Sequence, residues 1–475
     1  MTAKNLLPLA LALALLDSCS DQLHGLRDPS SQRATQGNSG MRAGKMGMSV
    51  ARGTTLSLLR QPIATARVGA VVLWERPRAL IAGNLPHPGR YLPSPAEAPG
   101  SEAFERLLDQ KRISSPAMAK LTWLVDGKKF FPEFGRQIAA AKQSVDVQVY
   151  IFDTDEIAVR YADLLKKRAN DVPVRVLFDD MGSSVAGSSA PKTPPSPGFR
   201  YPSSMSKYLR EGNVHVRSML NPFLVCDHTK LHVFDQHVAL MGCTNIGREY
   251  YSEWHDLMFR VEGPAVAKLQ EDYNNTWNRA DPKGLFGLFR KKSVVTPPPA
   301  VSGMIPIRII RTDPAKGRYE IRKSMLLGIR AARKRIWIED PYVSNDDITG
   351  ALEDAAKRGV DVRLIYPGQN DSKLMDVGNH AFADKLQKAG GKAYRYPRMS
   401  HMKVMICDDW ACVGSANLDT LSMRINRELN ITFNDRGEIN RLIQQVFVPD
   451  FAKSTRHKYS SSPASPLAEA VADQL

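Results

Sequence analysis

One chemical signature occurs twice in this chain at matched spacing. The first copy reads His228-Thr229-Lys230, four residues, Asp235, six residues, Gly242-Cys243-Thr244-Asn245, ten residues, Asp256. The second reads His401-Met402-Lys403, four residues, Asp408, five residues, Gly414-Ser415-Ala416-Asn417, ten residues, Glu428. A chain that repeats such a pattern folds as two copies of one unit, because self-similarity at this scale marks a duplicated architecture. The single-residue difference falls at 235–237 against 408–410, which read as hairpin turns, where an insertion costs least.

The flanking sequence repeats as well. Alternating apolar residues at 144–152 and 172–178 read as strands around a helical pattern at 157–168. Residues 335–338 and 360–366 are again strand-like, separated by a helix through Ala351 and Ala355 and followed by a helical stretch at 382–389. This order gives an α/β fold in which each unit is a mixed sheet flanked by helices. The boundaries follow from composition: a signal-like start at 1–19, a low-complexity region rich in Gly, Ser, Arg and Pro at 20–100, one domain at 101–282, a linker at 283–304, a second domain at 305–460 and a tail at 461–475. Much of 20–100 is expected to be loosely packed, with order beginning where Phe104, Leu107 and Leu108 take helical spacing.

Charge narrows the partners without choosing among them. Lys and Arg number 65 against 49 Asp and Glu, so polyanions, nucleic acid and anionic bilayers alike, are attracted. The apolar run from Leu6 to Leu16 is too short to span a bilayer, so it suggests export. Residues 16–19 resemble a lipoprotein cleavage box with Cys19 as the acylated residue, against an ordinary signal or an uncleaved anchor. The expected location is the cell membrane, peripheral or lipid-anchored, on the periplasmic face if the signal is used. Cys226, Cys243, Cys407 and Cys412 lie in apolar runs and read as buried thiols, with a Cys407–Cys412 disulfide across a hairpin as the alternative if the protein is exported.

In an extended segment, residues two apart point to the same side. His228 therefore shares a face with Lys230, and His401 with Lys403, and two such units packed as a pseudo-dimer bring two imidazoles and two ammonium groups to one anion site. One neutral imidazole can attack phosphorus while the other, protonated, donates to the leaving alkoxide. Lysines and the amides of Asn245 and Asn417 would offset the growing charge, and Asp256 and Glu428 would orient the imidazoles. Asp235 and Asp408 complete the candidate catalytic set His228, Lys230, Asp235, His401, Lys403 and Asp408. Their strand parity opposes that of the histidines, so their chief task is fixing the turn. His232 could line the site, but a packed or solvated histidine is favoured, and His255 reads as a scaffold residue.

The paired motifs, covering about two-thirds of the chain, resemble the phospholipase D superfamily. Gly247-Arg248-Glu249-Tyr250, Trp254-His255-Asp256, residues 261–266 and Gly414-Ser415-Ala416-Asn417-Leu418-Asp419 are similar to its bacterial cardiolipin synthase branch. The resemblance implies duplicated phospholipase D-like domains in a pseudo-twofold two-domain enzyme. The implied reaction joins two phosphatidylglycerol molecules through a phosphatidyl-histidine intermediate and releases glycerol. His228 would be the nucleophile and His401 the acid and base, with no metal or other cofactor. Cys243 departs from the Gly or Ser usual at that position. A phospholipase D hydrolase would use the same site, as would a nuclease, although no nucleic-acid module is recognisable. The expected partner is a phospholipid, with peripheral membrane association and no obligate protein partner. Residues 183–195 could form a lid or be a surface insertion, and 284–292, with Leu285, Phe286, Leu288, Phe289 and three cations, could be a membrane contact or an interdomain segment that packs its aromatics inward.

Overall fold

The structure is a computed structural model that describes residues 50–51, 53–58, 62–82, 93–179, 182–183, 195–220, 222–281 and 294–459. The signal-like start with Cys19, nearly all of the candidate lid, the 284–292 segment and the tail lie outside the described residues.

Two units run through the same order. The first contains β1 (Ala117–Val125), β2 (Val145–Val149), β3 (Val174–Asp179), β4 (His215–Met219), β5 (Leu231–Phe234), β6 (Val238–Gly242) and β7 (Leu257–Glu262). The second contains β8 (Ile305–Asp313), β9 (Arg318–Tyr319), β10 (Arg335–Glu339), β11 (Asp361–Pro367), β12 (Lys392–Tyr396), β13 (Val404–Cys407), β14 (Trp410–Gly414), β15 (Glu428–Phe433) and β16 (Thr455–Arg456). The first unit orders its strands 1-7-6-5-2-3-4 and the second 8-15-14-13-10-11-12, ending on β16. Antiparallel pairing of β1 with β8, Ala117 opposite Ile307, joins them into one sheet. Within each unit three neighbouring strands are parallel, β2-β3-β4 and β10-β11-β12, and the rest antiparallel.

The helices form where capping and apolar periodicity coincide. Glu156–Arg168 starts at Asp155, whose Oδ1 accepts from Ala158 N at 2.8 Å, and buries Ile157, Ala158, Tyr161 and Leu165. Asn345 caps Asp346–Lys357 in the corresponding place, its side chain accepting from Ile348 N. One core lies beneath the first unit's helices and a second beneath those of the other unit. A third, built around the central strands, takes in Val266, Leu269 and Tyr273 from one unit and Ile439, Leu442 and Phe447 from the other. The two units therefore share interior and cannot separate without exposing it. Glu102–Gln110 also crosses the expected boundary. Its Phe104, Leu107 and Leu108 pack in the second unit's core against Trp410, and Arg308 bonds Glu105 and Asp109 at 2.8 and 2.6 Å. Burying each of these side chains contributes about 1.5–3 kcal/mol.

Order also begins earlier than composition implied. Pro62–Ala82 is a helix of 21 residues inside the region expected to be loose. Its periodicity is weak because apolar residues occupy two faces, with Val68 and Val72 buried and Leu73 and Trp74 exposed.

The one-residue length change lies in the hairpins. Phe234 pairs with Val238 around a three-residue loop, whereas Cys407 pairs with Trp410 around a two-residue loop. Asp235 and Asp408 open these turns at φ 53° and 49°. The Asp235 carboxylate accepts from the backbone N–H of Lys142, Gln143 and Ser144 at 2.7–3.0 Å. Asp408 accepts from Arg333, Lys334 and Arg335 at 2.8–3.0 Å. Their place in the candidate catalytic set is thus corrected: each carboxylate is committed to amides at the opposite end of its strand from the histidine.

Replacing Asp408 with alanine strands three amides, so Asp408→Ala should destabilise the protein by about 2–4 kcal/mol in a denaturant melt. The fraction that remains folded should turn over substrate within about tenfold of wild type, a smaller loss than removing a general acid causes; a folded but inactive variant would place Asp408 in the chemistry after all.

Candidate active site

The motif residues lie just ahead of β5 and β13, in extended segments that pair across the pseudo-twofold axis rather than within their own units. Asp227 bridges Arg427, with His228 N donating to Arg427 O at 2.9 Å, and Ser400 bridges His255, with His401 N donating to His255 O at 2.7 Å. Each motif histidine is thereby set beside the acid of the other unit. His228 Nδ1 meets Glu428 Oε1 at 3.0 Å, and His401 Nδ1 meets Asp256 Oδ2 at 3.1 Å. With Nδ1 committed, Nε2 of each ring is the nitrogen left to meet a ligand. The lysines fold back on their own segments, Lys230 Nζ donating to His228 O at 2.9 Å and Lys403 Nζ to His401 O at 2.7 Å.

Gly242 and Gly414 permit this crossing. A Cβ on Gly242 would come within 2.4 Å of Leu257 O, and one on Gly414 within 2.4 Å of Leu429 O. Any side chain there would push away the strand that carries the acid.

Electrostatically the site is a buried cluster of opposed charges. His228 is 9 % exposed, His401 4 %, and the two lysines 1 % and 2 %. Burial, then the lysine charges, holds both imidazoles well below their usual value, which favours their neutral form. Burial raises the Asp256 carboxyl to about 7 and Glu428 to about 8, against the pull of the lysines. Burial also lowers Lys230 to about 7, with Lys403 adding to the shift and Glu428 opposing it. Each histidine–carboxyl pair can therefore carry a proton near neutrality.

The two halves are not equivalent. Glu428 also accepts from Ser415 Oγ at 2.5 Å and Ser422 Oγ at 2.7 Å. At the position of Ser415 the first unit has Cys243, whose Sγ instead faces Gly414 O at 3.0 Å, and Thr244 bonds Asp256. At the position of Ser422 it has Tyr250. Tyr250 and Trp254 stand against His401, ring centroids 5.9 and 5.2 Å away, while Tyr150 packs edge-on to His228 at 5.0 Å. Asn245 and Asn417 are both buried, Asn245 in hydrogen-bond contact with Tyr250. Asn245 Oδ1 accepts from Ile151 N at 3.2 Å and Asn417 Nδ2 donates to Asp419 at 3.0 Å, so part of each amide holds the loop.

Beneath each crossing lies a buried cation among acids. Arg427 donates to Asp227 at 2.9 Å and Asp272 at 3.0 Å. In the other half His255 lies between Asp126 at 2.7 Å and Asp450 at 2.8 Å. Burial disfavours its charge, yet these two carboxylates lift His255 to about 10. His255, Glu339 and Asp450 have the spacing of a metal-ligand group, but both ring nitrogens of His255 are committed, so an imidazolium fills the place a cation would take. The scaffold reading of His255 fits this position. His232 faces away from the site into the first unit's core, against Phe134 at 4.8 Å, and burial lowers it to about 3. None of the four described cysteines forms a disulfide, and all four are buried.

Arg427, Ser422, Tyr150, Tyr250 and Trp254 were not among the site candidates read from sequence. Matching the copies position by position could have found Ser422, since it aligns with Tyr250. No spacing signal marks Tyr150.

Comparison with known proteins agrees with the duplicated site. The family described as "Cardiolipin synthase, PLD-like domain" matches residues 135–277 and 325–450. Cardiolipin synthase A of Pseudomonas aeruginosa is 31 % identical over 373 residues, covering 75 % of this chain and 71 % of that protein. Cardiolipin synthase 1 of Bacillus anthracis is 30 % identical over 394 residues, covering 78 % and 75 %. Among solved structures, phosphatidylserine synthase of Haemophilus influenzae superposes with a TM-score of 0.59 at 13 % identity, over 74 % of this chain and 92 % of that one, a likeness of fold. With both units matched by the family model and three-quarters of the chain aligned to such relatives, this chain belongs to the cardiolipin synthase family of phospholipase D-like proteins.

Proposed function

We propose that the protein is a phosphatidyltransferase that forms cardiolipin from two phosphatidylglycerol molecules. The observation that carries this reading is the crossed pair of histidine–carboxyl contacts, which leaves the Nε2 atom of each ring for a ligand in one buried cluster with Lys230 and Lys403. His228 Nε2 attacks phosphorus and the bond to the glycerol oxygen breaks, leaving phosphatidyl-His228. The departing oxygen takes a proton from His401, supplied by the His401–Asp256 pair, and glycerol leaves. His401 then removes the proton of a second phosphatidylglycerol's terminal hydroxyl as that oxygen attacks phosphorus and the P–N bond breaks. Water in place of the second lipid would give phosphatidic acid by the same steps, and Tyr150, Tyr250 and Trp254, packed on the two imidazoles, favour the lipid acceptor by limiting water there. Lys230 and Lys403 offset charge on the phosphoryl oxygens. The same reading places the protein at a membrane surface, where its lipid substrate resides, with the positive balance of charge drawing it to anionic lipid.

Incubation with phosphatidylglycerol vesicles should yield cardiolipin and glycerol by mass spectrometry. His228→Ala should yield neither, and His401→Ala should be slower by about 10²–10⁴-fold. Phosphatidic acid as the sole product would make the protein a hydrolase, and no lipid turnover would end the phospholipid reading.

Protonation gives a second expectation. Lys230 and the Asp256 carboxyl are both held near 7, so each keeps its proton below that pH and loses it above. Loss weakens phosphate binding in one case and proton supply in the other. The free-enzyme profile, kcat/KM against pH, should therefore fall as pH rises through 7, by about tenfold or more per unit at high pH. A profile level from mildly acidic to strongly basic pH would contradict these assignments.

A further inference from the structure

The helix Pro62–Ala82 is apolar on two faces and buries only one. Thr65, Val68 and Val72 turn inward, against Phe223 and Val225 of the first unit and Leu421 and Ile425 of the second. Gly69 allows the close approach, since a Cβ there would lie 3.0 Å from the Phe223 ring. Glu75 completes the seat by pairing with Arg424, which also pairs with Asp347. The helix is thus fixed to the body across both units.

The outward face is a second stripe. Ile63, Ala66, Ala70 and Leu73 recur at intervals of three and four residues and are exposed, with Trp74 beside them. Ile63 is 68 % exposed, Leu73 76 % and Trp74 69 %, and they are the most exposed large apolar side chains described apart from Val294. A clustered stripe of this kind marks an interaction site, unlike scattered single residues. The helix carries Arg67, Arg76 and Arg78 against one acid, Glu75, which is already paired. Among the described residues no helix is long and apolar enough to cross a membrane. A helix with an apolar outer stripe, a tryptophan and surplus arginine has the composition of one that lies in the interfacial plane of an anionic bilayer.

The inward side of the same helix roofs a cavity. Val68, Met219, Val225 and Ala315 line it, and it extends to Cys226 and Asp227, the two residues before His228. A surface seated on the outer stripe would therefore lie on the far side of this helix from the cavity that reaches Cys226 and Asp227.

We infer that the outer stripe of Pro62–Ala82 is the membrane-docking surface of this protein, and that its partner is an anionic phospholipid bilayer. The inference rests on the phospholipid reading for its biological sense, but its test measures binding and needs no turnover.

The experiment compares the full chain with Leu73→Ser/Trp74→Ser in co-sedimentation with vesicles of phosphatidylcholine, with and without phosphatidylglycerol. Both side chains are exposed, so an unchanged thermal melt is expected and certifies the fold. Wild type should bind the phosphatidylglycerol vesicles more tightly than the neutral ones, and added salt should weaken that preference. The double variant should bind the anionic vesicles about tenfold or more weakly, the loss of two interfacial apolar side chains. Trp74 fluorescence in wild type should shift to the blue on vesicle addition. Equal binding by variant and wild type would overturn the inference even if cardiolipin is formed. A wild type that binds vesicles through this helix yet turns over no lipid would leave the inference standing and remove the proposed reaction. Self-association that the double substitution abolishes, with vesicle binding unchanged, would reassign the stripe to a second copy of the chain.

Discussion

Everything at the site depends on the exchange of hydrogen-bond partners across the pseudo-twofold axis. His228 takes its carboxyl partner from residue 428, and His401 from residue 256. Neither unit alone can orient its own imidazole. The antiparallel pairing of β1 with β8 and the two short parallel bridges at Asp227–Arg427 and His255–Ser400 set the distance at which this works. The shared interior around the central strands then makes the pairing rigid, because sliding one unit would break packing in both.

Holding six charged or chargeable groups in a buried site is costly, and the surroundings compensate unevenly. Arg427 among Asp227, Asp272 and Asp313 is a permanent cation paired by its neighbours. Its counterpart His255 stays charged only because two carboxylates grip both nitrogens. Around the acids themselves, Ser415 and Ser422 serve Glu428, while Thr244 and a backbone amide serve Asp256. Such unequal second partners let two copies of one motif differ in the hydrogen bonds around the acid while keeping the same geometry. Such a difference suits the proposed reaction, in which one histidine attacks and the other moves protons.

The fold was legible in sequence wherever one face alone is buried. The strands at 144–152, 172–178 and 360–366 and the helix at 157–168 appear within a few residues of their reading, since period and burial agree there. Pro62–Ala82 escaped because its second apolar face erases the period, and Glu102–Gln110 was placed with the wrong unit because linear order carries no information on which core a helix joins. Asp235 and Asp408 show the opposite case, where spacing suggested chemistry but parity pointed correctly to the turn.

By itself the sequence determined that two copies of a His-Lys unit exist, that each histidine shares a face with its lysine, and that an acid follows each at equal distance. These are properties of spacing along an extended chain, and spacing is local. Tertiary structure alone decided which acid serves which histidine, that Tyr150, Tyr250 and Trp254 wall the imidazoles, and how far burial shifts Lys230, Asp256 and Glu428. Those outcomes depend on distances between residues as many as 200 positions apart and on the exclusion of water around them, and both arise only when the two units close on one another.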